Sequence, residues 1–145
     1  MKRLAFPSPV GILCAVEEEG YVTALHFGGE GRDETPLLRQ TRRQLEEYFQ
    51  GTRQEFELPL KPRGTPFQLR VWKALREIPY GEMRSYGALL QDPKLARAVG
   101  MACHRNPLPI LIPCHRVVGA GGQLTGYAYG LDIKHQLLAL EQENK

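Results

Sequence analysis

The chain has 145 residues, of which 42% are hydrophobic, enough for one ordinary domain or two small ones sharing an interface. No segment approaches the ~18 consecutive apolar residues of a membrane helix, and the N-terminus has no h-region or cleavage site, so nothing points to export. Cys14, Cys103 and Cys114 form an odd count without disulfide-framework spacing, which suits a reducing, cytoplasmic setting. The net charge of +3 does not identify a nucleic-acid partner by itself. Its distribution is uneven, since residues 61–116 hold ten Lys or Arg against three acids. That places a basic surface in the second half, either a plain solvated face or a contact for polyanions.

Residues 2–6, 11–18 and 21–27 read as short strands of an antiparallel meander, separated by the turn signals Pro7-Ser8-Pro9 and Glu18-Glu19-Gly20. Tyr21, Thr23, Leu25 and Phe27 share one face of the third. Thr35-Pro36 is an N-cap followed by proline at the first helical position, and Leu37, Leu38, Thr41, Leu45, Tyr48 and Phe49 recur at helical spacing up to Gly51. That helix should cover the sheet. Glu55 to Leu58 reads as one more edge strand. The expected organisation is an N-terminal sheet-plus-helix domain over 1–58, a linker over 59–65 and a mostly helical domain over 66–145.

Thr65-Pro66-Phe67-Gln68 is a capping box, and Phe67, Val71, Trp72, Leu75 and Ile78 make the buried stripe of a helix stopped by Pro79-Tyr80-Gly81. Ser85 can cap a short helix, and Lys94 to Arg105 forms another, so the pair is a helix-turn-helix candidate. Helical spacing puts Leu95, Ala98, Val99 and Ala102 on one side and Lys94, Arg97, Met101 and His104 on the other. The last helix, from Leu131 to Glu143, sets Ile133, Leu137 and Glu141 on one face. One carboxylate on an apolar stripe wants a partner.

Between these helices lies Pro107-Leu108-Pro109-Ile110-Leu111-Ile112-Pro113-Cys114-His115-Arg116, a proline-fenced apolar run that presents a thiol on stiff backbone. An adjacent imidazole and guanidinium both favour the thiolate, so the Cys114 thiol is expected to titrate below the ~8.5 of a free thiol. Cys114, His115 and Glu141 have the types of nucleophile, base and orienting carboxylate. A bland alternative makes Cys114 a small buried hydrophobe and Glu141 an exposed helix-end residue. A second makes Cys103-His104 and Cys114-His115 zinc ligands, but each Cys abuts its His, whereas zinc pairs usually leave two to four residues between ligands. No metal and no cofactor is therefore expected.

Ile112-Pro113-Cys114-His115-Arg116-Val117-Val118, preceded by Asn106-Pro107 and followed by Thr125-Gly126-Tyr127, resembles the active-site signature of the DNA alkyltransferases that repair O6-alkylguanine, and the likeness runs from Phe67 to Glu141. The resemblance implies a ribonuclease H-like N-terminal domain and a winged-helix-like C-terminal one. It implies irreversible, single-turnover transfer of the alkyl group from O6-alkylguanine, and from O4-alkylthymine, to Cys114 after base flipping. Glu141 would bond His115, His115 would act on Cys114 through a water, and Asn106 would brace the turn. Leu95-Ala96-Arg97-Ala98-Val99-Gly100 is similar to the family's recognition helix, which enters the minor groove of double-stranded DNA. There Ala96 and Gly100 permit close approach, Arg97 takes the space of the extruded nucleotide, and Arg105 adds to the basic side. Ser85-Tyr86 matches a pair whose tyrosine contacts the flipped guanine, Tyr127, Ala128 and Tyr129 match the wall of the base pocket, and Lys134 matches a lysine beside the active-site loop.

Two departures accompany the likeness. The chain is a few residues shorter between Tyr86 and Arg97 than many relatives, and Ala128 stands where several have serine. The expected state is a monomer, with cooperative binding along DNA left open. The alternative function is that of the alkyltransferase-like proteins, which bind the lesion without repairing it and lack the reactive cysteine.

Overall fold

A computed structural model describes all residues, Met1–Lys145. Strands β1 (Lys2–Phe6), β2 (Leu13–Glu18) and β3 (Tyr21–Phe27) form the antiparallel meander in the order β1-β2-β3, with Leu4 opposite Ala15 and Ala15 opposite Leu25. A bulge at Val16/Glu17 shifts the register, and β3 is buried on both faces, at Val22 as well as at Thr23 and Leu25. Core contacts on β3 therefore extend beyond the face of Tyr21, Thr23, Leu25 and Phe27. Helix α1 (Pro36–Phe49) packs on the sheet, starting where Thr35 Oγ1 accepts from Leu38 N at 3.0 Å. Its inner side buries Leu38, Thr41, Leu45 and Tyr48.

The edge strand expected at Glu55–Leu58 is not formed. The free edge of β3 is taken by the next residues instead: Val22 N donates to Pro59 O at 2.8 Å and Lys61 N to Val22 O at 3.0 Å. Prolines at 59 and 62 limit this pairing to a single bridge, because proline has no N–H to continue a ladder.

Helix α2 (Pro66–Arg76) begins with the full capping box at Thr65 and Gln68 and buries Val71, Trp72 and Leu75. A two-residue parallel pair joins β4 (Arg84–Ser85) to β5 (Val117–Val118). Ser85 then caps α3 (Tyr86–Leu89), accepting from Ala88 N at 3.2 Å. The second helix of the motif is shorter than 94–105: a 3-10 turn, Pro93–Leu95, leads into α4 (Ala96–His104). Val99, Ala102 and Cys103 face inward, whereas Ala98, expected on that side, is exposed. Trp72 Nε1 donates to Ala102 O at 2.9 Å and ties α2 to α4. Helix α5 (Leu131–Asn144) closes the fold, with Leu137 and Glu141 buried on its inner side. One apolar cluster runs through both halves, from Leu4 and Leu25 to Val99, Ile112 and Leu137. The architecture is mixed α/β, an antiparallel sheet with a helix followed by a helical domain.

Candidate active site

Cys114 opens a 3-10 turn, Cys114–Arg116, at the end of the proline-fenced loop. The loop is held rather than merely stiff. Asn106 Nδ2 donates to Ile112 O and Asn106 Oδ1 accepts from Leu108 N, both at 2.9 Å, so one buried amide closes the loop on itself. β3 adds a third support, Leu25 N donating to Pro107 O at 2.9 Å. Ile110 is kept at φ 71, a region that a β-branched side chain enters only under constraint.

The tight turn points His115 inward, fully buried, where α5 brings Glu141 against it: His115 Nε2 lies 2.6 Å from Glu141 Oε2. Arg116 adds a fork, Nε to Oε1 at 2.8 Å and Nη2 to Oε2 at 3.0 Å, and its Nη1 donates to Ile78 O at 2.7 Å. Two more donors reach the same carboxylate. Tyr48 Oη donates to Oε2 at 2.6 Å and Gly81 N to Oε1 at 3.3 Å. Burial works against a charge there, but hydrogen bonds and charges from His115 and Arg116 outweigh it and hold the Glu141 carboxyl down to about 2.

His115 responds in the opposite sense. Burial lowers its pKa below the usual value, Glu141 pulls it back up, and Arg116 and Lys134 add to the lowering. The imidazole is thus neutral at pH 7, with the Nε2 proton facing the carboxylate and a lone pair on Nδ1. Nδ1 is buried and has no protein partner, so it is the free basic position of the site.

The thiol corrects the sequence expectation. Burial pushes Cys114 up to about 11, against the lowering effects of Asn106, Lys134 and the Tyr127 hydroxyl. The reason is geometric: the Arg116 guanidinium is committed to Glu141 and the imidazole of His115 is neutral, so neither neighbour supplies a free positive charge to the sulfur anion. Cys103 and Cys14 are also buried, Cys103 pushed up to about 12 by burial and the neighbouring Cys114.

A second group of polar atoms walls the thiol. Lys134 is fully buried, its Nζ donating to Val117 O at 2.6 Å and Thr125 O at 2.9 Å, with Tyr86 Oη at 3.5 Å. Tyr86 Oη itself donates to Thr125 O at 2.9 Å. Gly126, at φ 60, and Gly100 lie against this tyrosine, whose ring a Cβ at Gly100 would approach to 3.8 Å. Tyr127 is buried, its hydroxyl beside the Cys114 thiol. Tyr129 is half-buried; its ring packs on Phe27 at 4.4 Å and Tyr127 at 5.5 Å, and its hydroxyl reaches Asn106 O at 3.4 Å.

The fold therefore brings Cys114, His115, Glu141, Asn106, Tyr86, Tyr127, Tyr129 and Lys134 to one place. It leaves Arg97, Arg105 and Ala128 exposed and Ser85 and Ala96 half-buried, so α4 offers an outer surface of Arg97, Ala98, Met101 and His104 beside the thiol loop. Sequence reading missed Tyr48, whose helical spacing marked only a core residue, and the role of Arg116 as partner to Glu141. A buried acid implies donors, which was the one available signal, but their positions are distant in sequence.

Residues 1–62 match the family model described as 6-O-methylguanine DNA methyltransferase, ribonuclease-like domain, and residues 66–143 match its DNA binding domain. A methylated-DNA–protein-cysteine methyltransferase of Methanosarcina acetivorans is 50% identical over 94% of this chain and 95% of its own length, and the constitutive Bacillus subtilis protein of that name is 46% identical over 93% and 92%. The Mycobacterium tuberculosis OGT crystallised in complex with DNA superposes with a TM-score of 0.91 at 41% identity, covering 99% of this chain and 94% of that one. With both domain models matched in order and relatives half identical along nearly the whole length, the chain belongs to the 6-O-methylguanine DNA methyltransferase family.

Proposed function

We propose that this protein repairs DNA directly, taking the alkyl group of O6-alkylguanine onto Cys114 in a single irreversible transfer. The observation that carries the reading is the buried chain Glu141 to His115 beside Cys114, with one imidazole nitrogen held by an ionised carboxylate and the other left as a base. The outer side of α4, with Arg97 and Arg105, enters the minor groove of duplex DNA, and Arg97 fills the gap left by the flipped nucleotide. Small residues at Ala96 and Gly100 let the backbone come close. The working units are the sheet domain over 1–58 and the helical domain over 66–145, joined by 59–65, acting as a monomer in the cytoplasm.

In the transfer the thiol proton passes to His115 Nδ1, directly or through one water, and the resulting imidazolium is stabilised by Glu141. The sulfur attacks the alkyl carbon, an S–C bond forms, the C–O6 bond breaks and its electron pair returns to the guanine, which takes up one proton while the His115 imidazolium releases the one it took from the thiol. Tyr86 Oη, beside the Thr125 to Tyr129 wall, exchanges its bond to Thr125 O for one to the departing base. Lys134 supplies a fixed positive charge near the sulfur. The thioether has no route to hydrolysis, so each molecule reacts once. The test is intact-protein mass after incubation with duplex carrying O6-methylguanine: one added methyl group, mapped to Cys114, is expected, and Cys114→Ser should bind the duplex without gaining it. Methyl found on Cys103, or transfer by the serine variant, would overturn the assignment, and unmodified protein that binds without reacting would return the lesion-binding alternative.

A further inference from the structure

Glu141 accepts from more donors than a base-orienting carboxylate needs, and one of them comes from the other domain. Tyr48 is on α1, 93 residues away in sequence, is fully buried, and places its hydroxyl 2.6 Å from Oε2, the oxygen that also faces His115 Nε2 at 2.6 Å. Arg116 and Gly81 fix the position of the carboxylate without it, through three hydrogen bonds. The phenol is therefore surplus to holding Glu141 in place. What it does change is how much of Oε2 is left for the imidazole, because this oxygen also accepts from Arg116 Nη2 at 3.0 Å, and an oxygen shared among three donors binds each less tightly than it would with two.

We infer that Tyr48 is a positioning residue for the alkyl transfer, through which the N-terminal domain limits the pull of Glu141 on His115 and keeps the imidazole neutral and ready to take the thiol proton. The inference rests on the proposed role of His115 as the base. Too strong a pull would protonate the imidazole before the substrate arrives, and a protonated base accepts nothing. Too weak a pull would fail to stabilise the imidazolium formed in the reaction. The other ionisable groups around the pair are Arg116, whose guanidinium also lies 5.7 Å from the Tyr80 ring, Tyr80 itself, Lys134 and the Cys114 thiol. Arg116 and Lys134 oppose the imidazolium, and burial opposes it further, so Glu141 is the sole group that favours it and Tyr48 acts on that group. Burial and the Glu141 charge push the ionisation of Tyr48 well above 10, so the phenol remains a donor at every working pH. Its ring is fixed by edge contacts with Phe49 and Tyr80 at 5.3 and 6.1 Å and by Phe56 at 5.4 Å, contacts that phenylalanine would keep.

The experiment compares the unmodified protein, Tyr48→Phe, and protein carrying 3-fluorotyrosine at position 48 by nonsense suppression. Two quantities are read: the titration of the His115 ring by NMR in the free protein, and the pH dependence of transfer from methylated duplex. In Tyr48→Phe the His115 midpoint and the acid limb of the rate should both move up by about one pH unit, the size expected for one hydrogen bond to a charged group. The fluorinated phenol, a stronger donor in the same place, should move both down. A role in packing alone would lower the unfolding midpoint of Tyr48→Phe and leave both pH midpoints unmoved, which would overturn the inference. Should Tyr48→Phe not fold, the fluorinated protein decides the matter, since it differs from the natural one by a single atom. The NMR titration contains no DNA, so unmodified protein that fails to transfer methyl refutes the repair reading, whereas a transferring protein with an unmoved His115 titration refutes only the part assigned to Tyr48.

Discussion

The height of the Cys114 pKa makes the free protein slow toward stray electrophiles, and pH is the perturbation that tests it. With the thiol at about 11, four pH units above neutral, about one molecule in ten thousand carries the thiolate at pH 7. An unperturbed thiol near ~8.5 would be ionised to a few per cent. The cause is burial: Cys114 is 4% exposed, and the nearest guanidinium is committed to Glu141. Reaction of the free protein with a small electrophile such as iodoacetamide, followed by peptide mass spectrometry, should therefore give a Cys114 rate that climbs about tenfold per pH unit from pH 7 to pH 10. Restricted access scales every rate by the same factor and leaves the slope intact. Cys103, pushed higher to about 12, should react after Cys114 under all conditions. The unfolded chain is the control, where all three thiols should level off near ~8.5. Transfer from methylated duplex should vary far less over this range, because the proton moves to His115 within the closed site instead of to water. A Cys114 rate that levels off below pH 9 in the folded protein would refute the argument that burial governs this thiol.

Glu141→Gln keeps the shape but leaves the buried Arg116 guanidinium uncompensated, and should lower stability by about 3–5 kcal/mol in urea unfolding at pH 7; a loss under about 1 kcal/mol would mean that Arg116 finds another partner. Arg97→Ala should slow repair of duplex more than of single strands, which have no partner strand to separate; equal losses would make Arg97 a phosphate contact only. Tyr129→Gly removes a ring packed between Phe27 and Tyr127 beside Asn106, and should raise the rate with O6-benzylguanine while leaving the methyl rate nearly unchanged; an unchanged ratio of the two second-order rates would place the size limit elsewhere in the pocket.

Local chemistry was legible in the sequence because its causes are local. Thr35-Pro36 and Thr65-Pro66-Phe67-Gln68 start helices through hydrogen bonds that span three residues, and the structure places both caps where the residues call for them. The same holds for Ser85 at α3, whereas the brace of Asn106 on the thiol loop was an implication of the family likeness. The proline-fenced Cys-His-Arg triplet by itself left a reactive thiol and a small buried hydrophobe both open, and the likeness to the alkyltransferase signature decided between them. What the triplet could not convey is which way its charges face. Adjacency suggested that the Arg116 guanidinium would serve the sulfur; the 3-10 turn and α5 set it on Glu141, and burial then raised the thiol pKa instead of lowering it. Glu55 to Leu58 had the pattern of a strand, yet the edge of β3 was taken by Pro59 and Lys61, a competition between neighbours in space. Tyr48 had the spacing of a core residue, and only the tertiary fold, which brings α1 to α5, set its hydroxyl on the Glu141 carboxylate. Hydrogen bonds to a buried charge and the desolvation of a thiol depend on which distant elements meet, and that is decided by the tertiary fold.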